Sequence, residues 1–183
     1  MLIMKTLYES LLDDFENVES STDYKEQVIQ FLKDNYSNPN KFKVSNQPNK
    51  DGYYEVDCSE VNFNVVVTNK NITSLTNDLF VFVNVKGTFE CVYCKKLTSL
   101  KGAPKKVGRG FNCSYCDKLT SLEGAPKEVG VDFNCFDCNN LISLKGAPKK
   151  VGEDFNCFNC DNLTSLKGAP KKVGRDFNCF KCK

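Results

Sequence analysis

The chain has 183 residues, 40% of them apolar and 26% charged, with a formal net charge of +2. That balance is ordinary for a globular chain and excludes a collagen-like or plainly disordered polymer. The charge is unevenly placed: residues 1–88 carry 8 Lys, no Arg and 13 acids, whereas residues 89–183 carry 17 basic groups against 10 acids.

At the N-terminus, Glu9, Asp13, Asp14 and Glu16 interrupt any apolar core that a signal peptide needs. No apolar run approaches the roughly 18 residues of a membrane span. The expectation is a soluble, cytoplasmic protein whose 11 Cys are thiols or metal ligands, because the cytosol keeps thiols reduced. Leu7, Leu11, Leu12 and Phe15 recur at helical spacing and predict a first helix over 2–15. The pair Asp13-Asp14 reads as its solvated face. A second helix is predicted from Tyr24 to Tyr36 with Val28, Ile29, Phe31 and Leu32 inward, capped by oxygens of Ser20 to Asp23 and ended before Pro39. Phe42 and Val44 face Tyr53, Tyr54 and Val56 across Pro48-Asn49-Lys50-Asp51-Gly52, a hairpin pattern. Residues 1–60 thus form an α+β cap.

From Phe89 onward the chain repeats itself. The same 22-residue pattern starts at Phe89, Phe111, Phe133 and Phe155, and a fifth, truncated copy starts at Phe177. A fixed period of this size marks a solenoid. Residues 61–88 read as a degenerate first copy, with Phe63-Asn64-Val65 in the place of Phe-Asn-Cys, and Val65 and Thr68 in the two cysteine positions. Within a unit, strand alternation turns Phe155 and Cys157 inward and Asp154 and Asn156 outward. The second Cys, the two following Leu, the Ala-Pro pair and the Val complete the buried set, and two Gly per unit permit corners. The fold class predicted is α+β: a helical and hairpin cap on 1–60, a transition over 61–88, and a short β-solenoid with a parallel sheet over 89–183.

The run Phe155-x-Cys157-x-x-Cys160-x-x-Leu163 resembles the Cys-containing leucine-rich repeat, LxxLxLxxCxxL, over about residues 89–183. It departs from that pattern at the first Leu position, where Gly152 stands and Val151 lies one residue earlier. The wording LTSLxGAPKxVGxDFxC is also similar to tandem-repeat proteins of bacteriophages of gut bacteria. The first likeness implies a right-handed coil that binds proteins on the concave face of its sheet; the second implies a viral or mobile-element source. Four columns then look outward: Thr88, Gly110, Asp132, Asp154, Asp176; Glu90, Asn112, Asn134, Asn156, Asn178; Val92, Ser114, Phe136, Phe158, Phe180; and Tyr93, Tyr115, Asp137, Asn159, Lys181. Among them Phe136, Phe158 and Phe180, with Tyr93 and Tyr115 and the Asn and Asp of the first two columns, are the candidate partner-binding residues.

Rival chemistries are weighed on the same repeat. Cys91, Cys94, Cys113, Cys116, Cys135, Cys138, Cys157 and Cys160 fall in C-x2-C-x18-C-x2-C strings, a spacing used by zinc sites. The repeat imposes that spacing on buried packing thiols as well. Lys105, Lys127, Lys149 and Lys171 form a column, with Lys106, Lys150 and Lys172 beside it, which suits phosphate tracking or a solubilising edge. No His is present, no Ser or Cys triad of the usual kind can be assembled, and neither GxxxxGK[ST] nor GxGxxG occurs, so no catalytic residue is assigned. The reading reached is a non-catalytic protein-binding scaffold, a phage protein acting on a host defence component in the host cytoplasm. Its last coil, ending in Phe177, Cys179 and Cys182, is expected to be covered by a second subunit or a partner.

Overall fold

A computed structural model describes residues 24–35, 39–60, 64–67, 71–76 and 80–182. The expected helix over 2–15 and the capping run 20–23 lie outside them. The second helix is present as α1, Tyr24–Asn35, with Val28 and Leu32 buried at i, i+4 spacing. The hairpin also forms. Strand β1, Lys43–Val44, pairs antiparallel with β2, Tyr54–Cys58. Its turn is held by Asn49 Oδ1, which accepts from the Asp51 and Tyr53 N–H groups, while Gly52 takes φ +88°.

Every regular coil contributes two short strands, one more than a single-sheet solenoid requires. One set has sequence Phe-Glu or Phe-Asn: β5 Phe89–Glu90, β7 Phe111–Asn112, β9 Phe133–Asn134, β11 Phe155–Asn156 and β13 Phe177–Asn178. The other precedes it by about five residues: β6 Lys106–Val107, β8 Glu128–Val129, β10 Lys150–Val151 and β12 Lys172–Val173. All of these pair in parallel with the equivalent residues one coil away. Two sheets result, parallel throughout except where β1 joins β2. The seven-stranded one runs from β1 and β2 through β4, Phe80–Val85, to β12; the six-stranded one runs from β3, Val65–Val66, to β13. Because β2 pairs in parallel with β4, the cap hairpin is also the first rung of the solenoid. Helix is confined to α1 and one 3-10 turn among the described residues, and no helix there is long and apolar enough to cross a membrane.

The degenerate coil corrects the sequence alignment. Val65 pairs with Phe89 and the Val67 N–H bonds to the Glu90 carbonyl, so Val65 takes the Phe position and Val67 the first Cys position. Phe63 and Thr68 lie outside the described residues. The slip is two residues, which leaves the inward and outward sets unchanged. Further on, Ile72 is buried and the Thr98 N–H bonds to the Thr73 carbonyl, so Ile72-Thr73-Ser74-Leu75 stands one coil before Leu97-Thr98-Ser99-Leu100.

The core follows from the repeat. Phe89, Phe111, Phe133, Phe155 and Phe177 stack ring on ring with centroids 5.5, 5.3, 5.2 and 5.1 Å apart. Strand pairing brings each coil to within the strand spacing of the next, and identical rings at that spacing stack face to face. Leu97, Leu119, Leu141 and Leu163 are buried, as are Leu100, Leu122 and Leu144. In Gly124 and Gly146 the backbone sits at φ +93° and +90°, and an added Cβ would lie 2.5 Å from the backbone of the preceding coil. Replacing Phe133 by Ala removes the middle of the ring stack and should cost about 3–5 kcal/mol in chemical denaturation. Exposed Ile142→Ala should cost less than about 0.5 kcal/mol.

Candidate functional site

The candidate surface lies where the Phe-Asn strands end and the chain turns a corner. Three features of the repeat build that corner. First, Asn112, Asn156 and Asn178 each accept, through Oδ1, the N–H two residues on, from Ser114, Phe158 and Phe180. Such a local side-chain bond takes the N–H away from the sheet ladder. Second, the next residue enters the left-handed region: Tyr93, Tyr115, Asp137, Asn159 and Lys181 have φ of 61°, 60°, 54°, 55° and 56°. Asp and Asn tolerate that region, whereas Tyr and Lys occupy it at a cost of roughly 1–2 kcal/mol each. Third, the cysteines close the turn.

Their role follows from a carbonyl that the ladder abandons. Had the strand run on, the Ser114 N–H would have met the Cys91 carbonyl; the Asn112 side chain takes it instead. Cys116 Sγ donates to that carbonyl at 3.2 Å. The same bond recurs from Cys138 to Cys113, Cys160 to Cys135 and Cys182 to Cys157, at 3.3, 3.3 and 3.1 Å. From Cys116 onward, the second Cys of each coil therefore ties the corner to the first Cys of the coil before it. The bond needs the proton on sulfur. Burial, the largest cause, holds Cys113, Cys135 and Cys138 well above the ordinary thiol value of 9.0, and pushes Cys160 up to about 12. All 11 cysteines are free thiols, and among the described residues no three His, Cys, Asp or Glu side chains come together as a metal-ligating group. Of the eight cysteines of the zinc reading, Cys116, Cys138 and Cys160 turn their thiols to carbonyl oxygens of the preceding coil.

The outward columns divide into two kinds. The Asp column is largely spoken for: the Asp154 and Asp176 N–H groups bond to Asp132 and Asp154 carboxylates, both at 3.1 Å, and Arg175 Nε lies 3.8 Å from Asp154. Asn64 plays the same part for Thr88 at the start of the array. With Asn112, Asn156 and Asn178 occupied at the turn, these polar columns hold the corner in shape. Asn134 is half-buried in the same column.

The aromatic residues form the other kind. Tyr93 stacks on Tyr115 at 4.3 Å, Tyr115 meets Phe136 edge to face at 5.2 Å, and Phe136 stacks on Phe158 at 5.3 Å. The row thus shifts from the fourth column to the third where Ser114, fully buried with no hydrogen-bond partner for its hydroxyl, gives way to Phe136. Phe136 and Phe158 are half-buried, Tyr93 is 50% exposed and Phe180 is 69% exposed. Lys95 and Lys181 place ammonium groups 5.9 Å from the Tyr93 and Phe180 ring centroids. The continuous row across two columns, and the left-handed corner, were not evident in the sequence; Asp137 and Asn159 were the available signal for the latter.

The Lys columns sit elsewhere, at the other sheet. Lys105 pairs with Glu55 at 2.9 Å and Lys106 with Glu128 at 2.8 Å. Lys127, Lys149, Lys171, Lys150 and Lys172 are exposed on successive coils.

The buried thiols make stability depend on pH in one direction. Where the folded pKa exceeds the unfolded value of 9.0, both states are protonated below that value and the contribution is whole. As pH rises from 9.0 towards 12, unfolded thiols ionise first and stability falls. Denaturation midpoints should be flat between about pH 7 and 8.5 and drop steeply above about 9.5. Cys138→Ala, which leaves the Cys113 carbonyl unpaired in the core, should cost about 1–3 kcal/mol at neutral pH in the same assay.

Comparison with protein-family models, with curated protein sequences and with solved structures gave no match.

Proposed function

We propose that this chain is a non-catalytic scaffold that binds a protein partner along the corner beside the Phe-Asn sheet. The observation carrying the reading is the row Tyr93, Tyr115, Phe136 and Phe158, continued by exposed Phe180. An exposed apolar stripe on a polar surface marks an interaction site. Aromatic side chains are the usual anchors of protein interfaces. Here ring-on-ring contact already restrains them, so little rotamer freedom remains to be lost on binding. The thiols beside them are buried and bonded, which supports a structural rather than a chemical part for the CxxC pairs.

The finer parts of the proposal rest on sequence likeness. The leucine-rich-repeat resemblance supports a protein as the ligand class. The resemblance to tandem-repeat proteins of gut-bacterial phages supports a host protein, such as a defence component, as the target, met in the host cytoplasm. Affinity capture from such a host should retain a partner with the wild-type chain and lose it with Phe136→Ser, Phe158→Ser and Phe180→Ser combined. With that partner purified, titration calorimetry should show at least about a tenfold loss of affinity for the triple variant. Equal binding by both chains sinks the proposal.

A further inference from the structure

The aromatic row and the polar columns beside it share one outward face, and their spacings restrict what can lie on it. Every second side chain of an extended strand points the same way, so the Asp154 and Phe158 columns run about 13 Å apart with Asn156 between them. From coil to coil, ring centroids step by 4.3, 5.2 and 5.3 Å from Tyr93 through Tyr115 and Phe136 to Phe158. These steps are close to the turn of an α-helix, about 5.4 Å. A β-strand returns a side chain to the same face only every 6.6 Å or so, at about 3.3 Å per residue, and falls out of step with the rings within three coils.

Backbone pairing is already used at this corner, because the Tyr115, Asp137 and Asn159 N–H groups bond to the Phe136, Phe158 and Phe180 carbonyls of the following coil. A partner must therefore bind through side chains. Tyr93 and Tyr115 lie 9° from parallel and Phe136 and Phe158 lie 23° from parallel, so within each pair the ring faces are turned to each other. A nucleic-acid base, which stacks on ring faces, finds those faces taken. Ring edges remain for aliphatic side chains. The flank of the row is acidic: Asp132 accepts the Asp154 N–H yet keeps its charge, Asp176 is exposed, and Asp154 draws Arg175 to 3.8 Å. Asp132 and Asp176 stand two coils apart, about 10 Å, which is close to two turns of helix. Resting on the protein-binding reading of the row, we infer that the partner's contact segment is an amphipathic α-helix lying parallel to the solenoid axis. Its apolar residues at i, i+4, i+7 and i+11 meet the rings, and Lys or Arg two turns apart on one flank meet Asp132 and Asp176. Four coil steps from Tyr93 to Phe180 span about 20 Å, the length of about 13 helical residues.

The test is fluorescence anisotropy of the full chain with a labelled peptide of about 16 residues, made of Ala, Gln, Leu and Lys, with Leu on one helical stripe and Lys on the adjoining flank. Saturable binding that weakens with added salt is expected, together with a gain in helical circular dichroism of the bound peptide. The scrambled peptide, of equal charge but without an apolar stripe, should bind at least about tenfold more weakly. Phe136→Ser with Phe158→Ser should lower affinity about tenfold or more. Asp132→Asn with Asp176→Asn keeps an acceptor for the Asp154 N–H and should lower affinity about threefold while flattening the salt dependence. An unchanged denaturation midpoint for that variant separates charge loss from unfolding. Lys127→Gln with Lys149→Gln, on the other sheet, should leave binding as in the wild type. No saturable binding, equal binding of the scrambled peptide, or binding without a gain in helicity overturns the helix. Capture of a partner that depends on Phe136, Phe158 and Phe180 while the helical peptide fails overturns this inference alone and leaves the protein-binding row standing.

Discussion

In-register stacking of like on like is the constraint from which the molecule is built. Each coil meets the next with Phe on Phe, Cys on Cys and Leu on Leu. A single coil has two short strands and could not bury its own apolar face; stacked coils bury one continuous core. The same constraint excludes side chains at the glycine columns, where the preceding carbonyl occupies the space of a Cβ. It also turns every variable position into a column, so that any surface the molecule offers is a stripe parallel to its axis.

The thiol–carbonyl bond shows how the stacking is completed where backbone pairing stops. Parallel ladders leave a carbonyl unmet at the point where a strand bends away. In this chain the Asn side chain removes the N–H that would have met it, and the following Cys supplies a replacement donor. A residue at that place must be small, apolar enough for a dry core and able to donate one proton. Cys satisfies all three conditions. The corner that results carries Tyr93 and Tyr115 in the left-handed region, a strain offset by their mutual stacking and by the coil-to-coil bonds on either side.

The array was largely legible in the sequence because it is periodic. Strand alternation alone placed Phe155 and Cys157 inside, and the hairpin at Asn49 to Gly52 was readable from its turn residues. The degenerate coil was misaligned by two residues, since Val65-Val66-Val67 offers inward valines in either register and only the sheet pairing decides between them. The Asn and Asp columns looked like a recognition surface because strand alternation points them outward. Asn112, Asp132 and Asp154 each also accept one backbone N–H of the same turn or the next coil, a role that depends on corner geometry. The second strand of each coil, Lys-Val, was too short to carry a pattern of its own.

The most direct measurement of this architecture is the infrared S–H stretching band of the folded protein. Thiols donating to carbonyls absorb at lower frequency and greater intensity than free thiols. The account predicts a red-shifted S–H component that diminishes when Cys116, Cys138 and Cys160 are each replaced by Ala. An S–H band at the free-thiol position in the folded chain, or no S–H absorption at all, would contradict it.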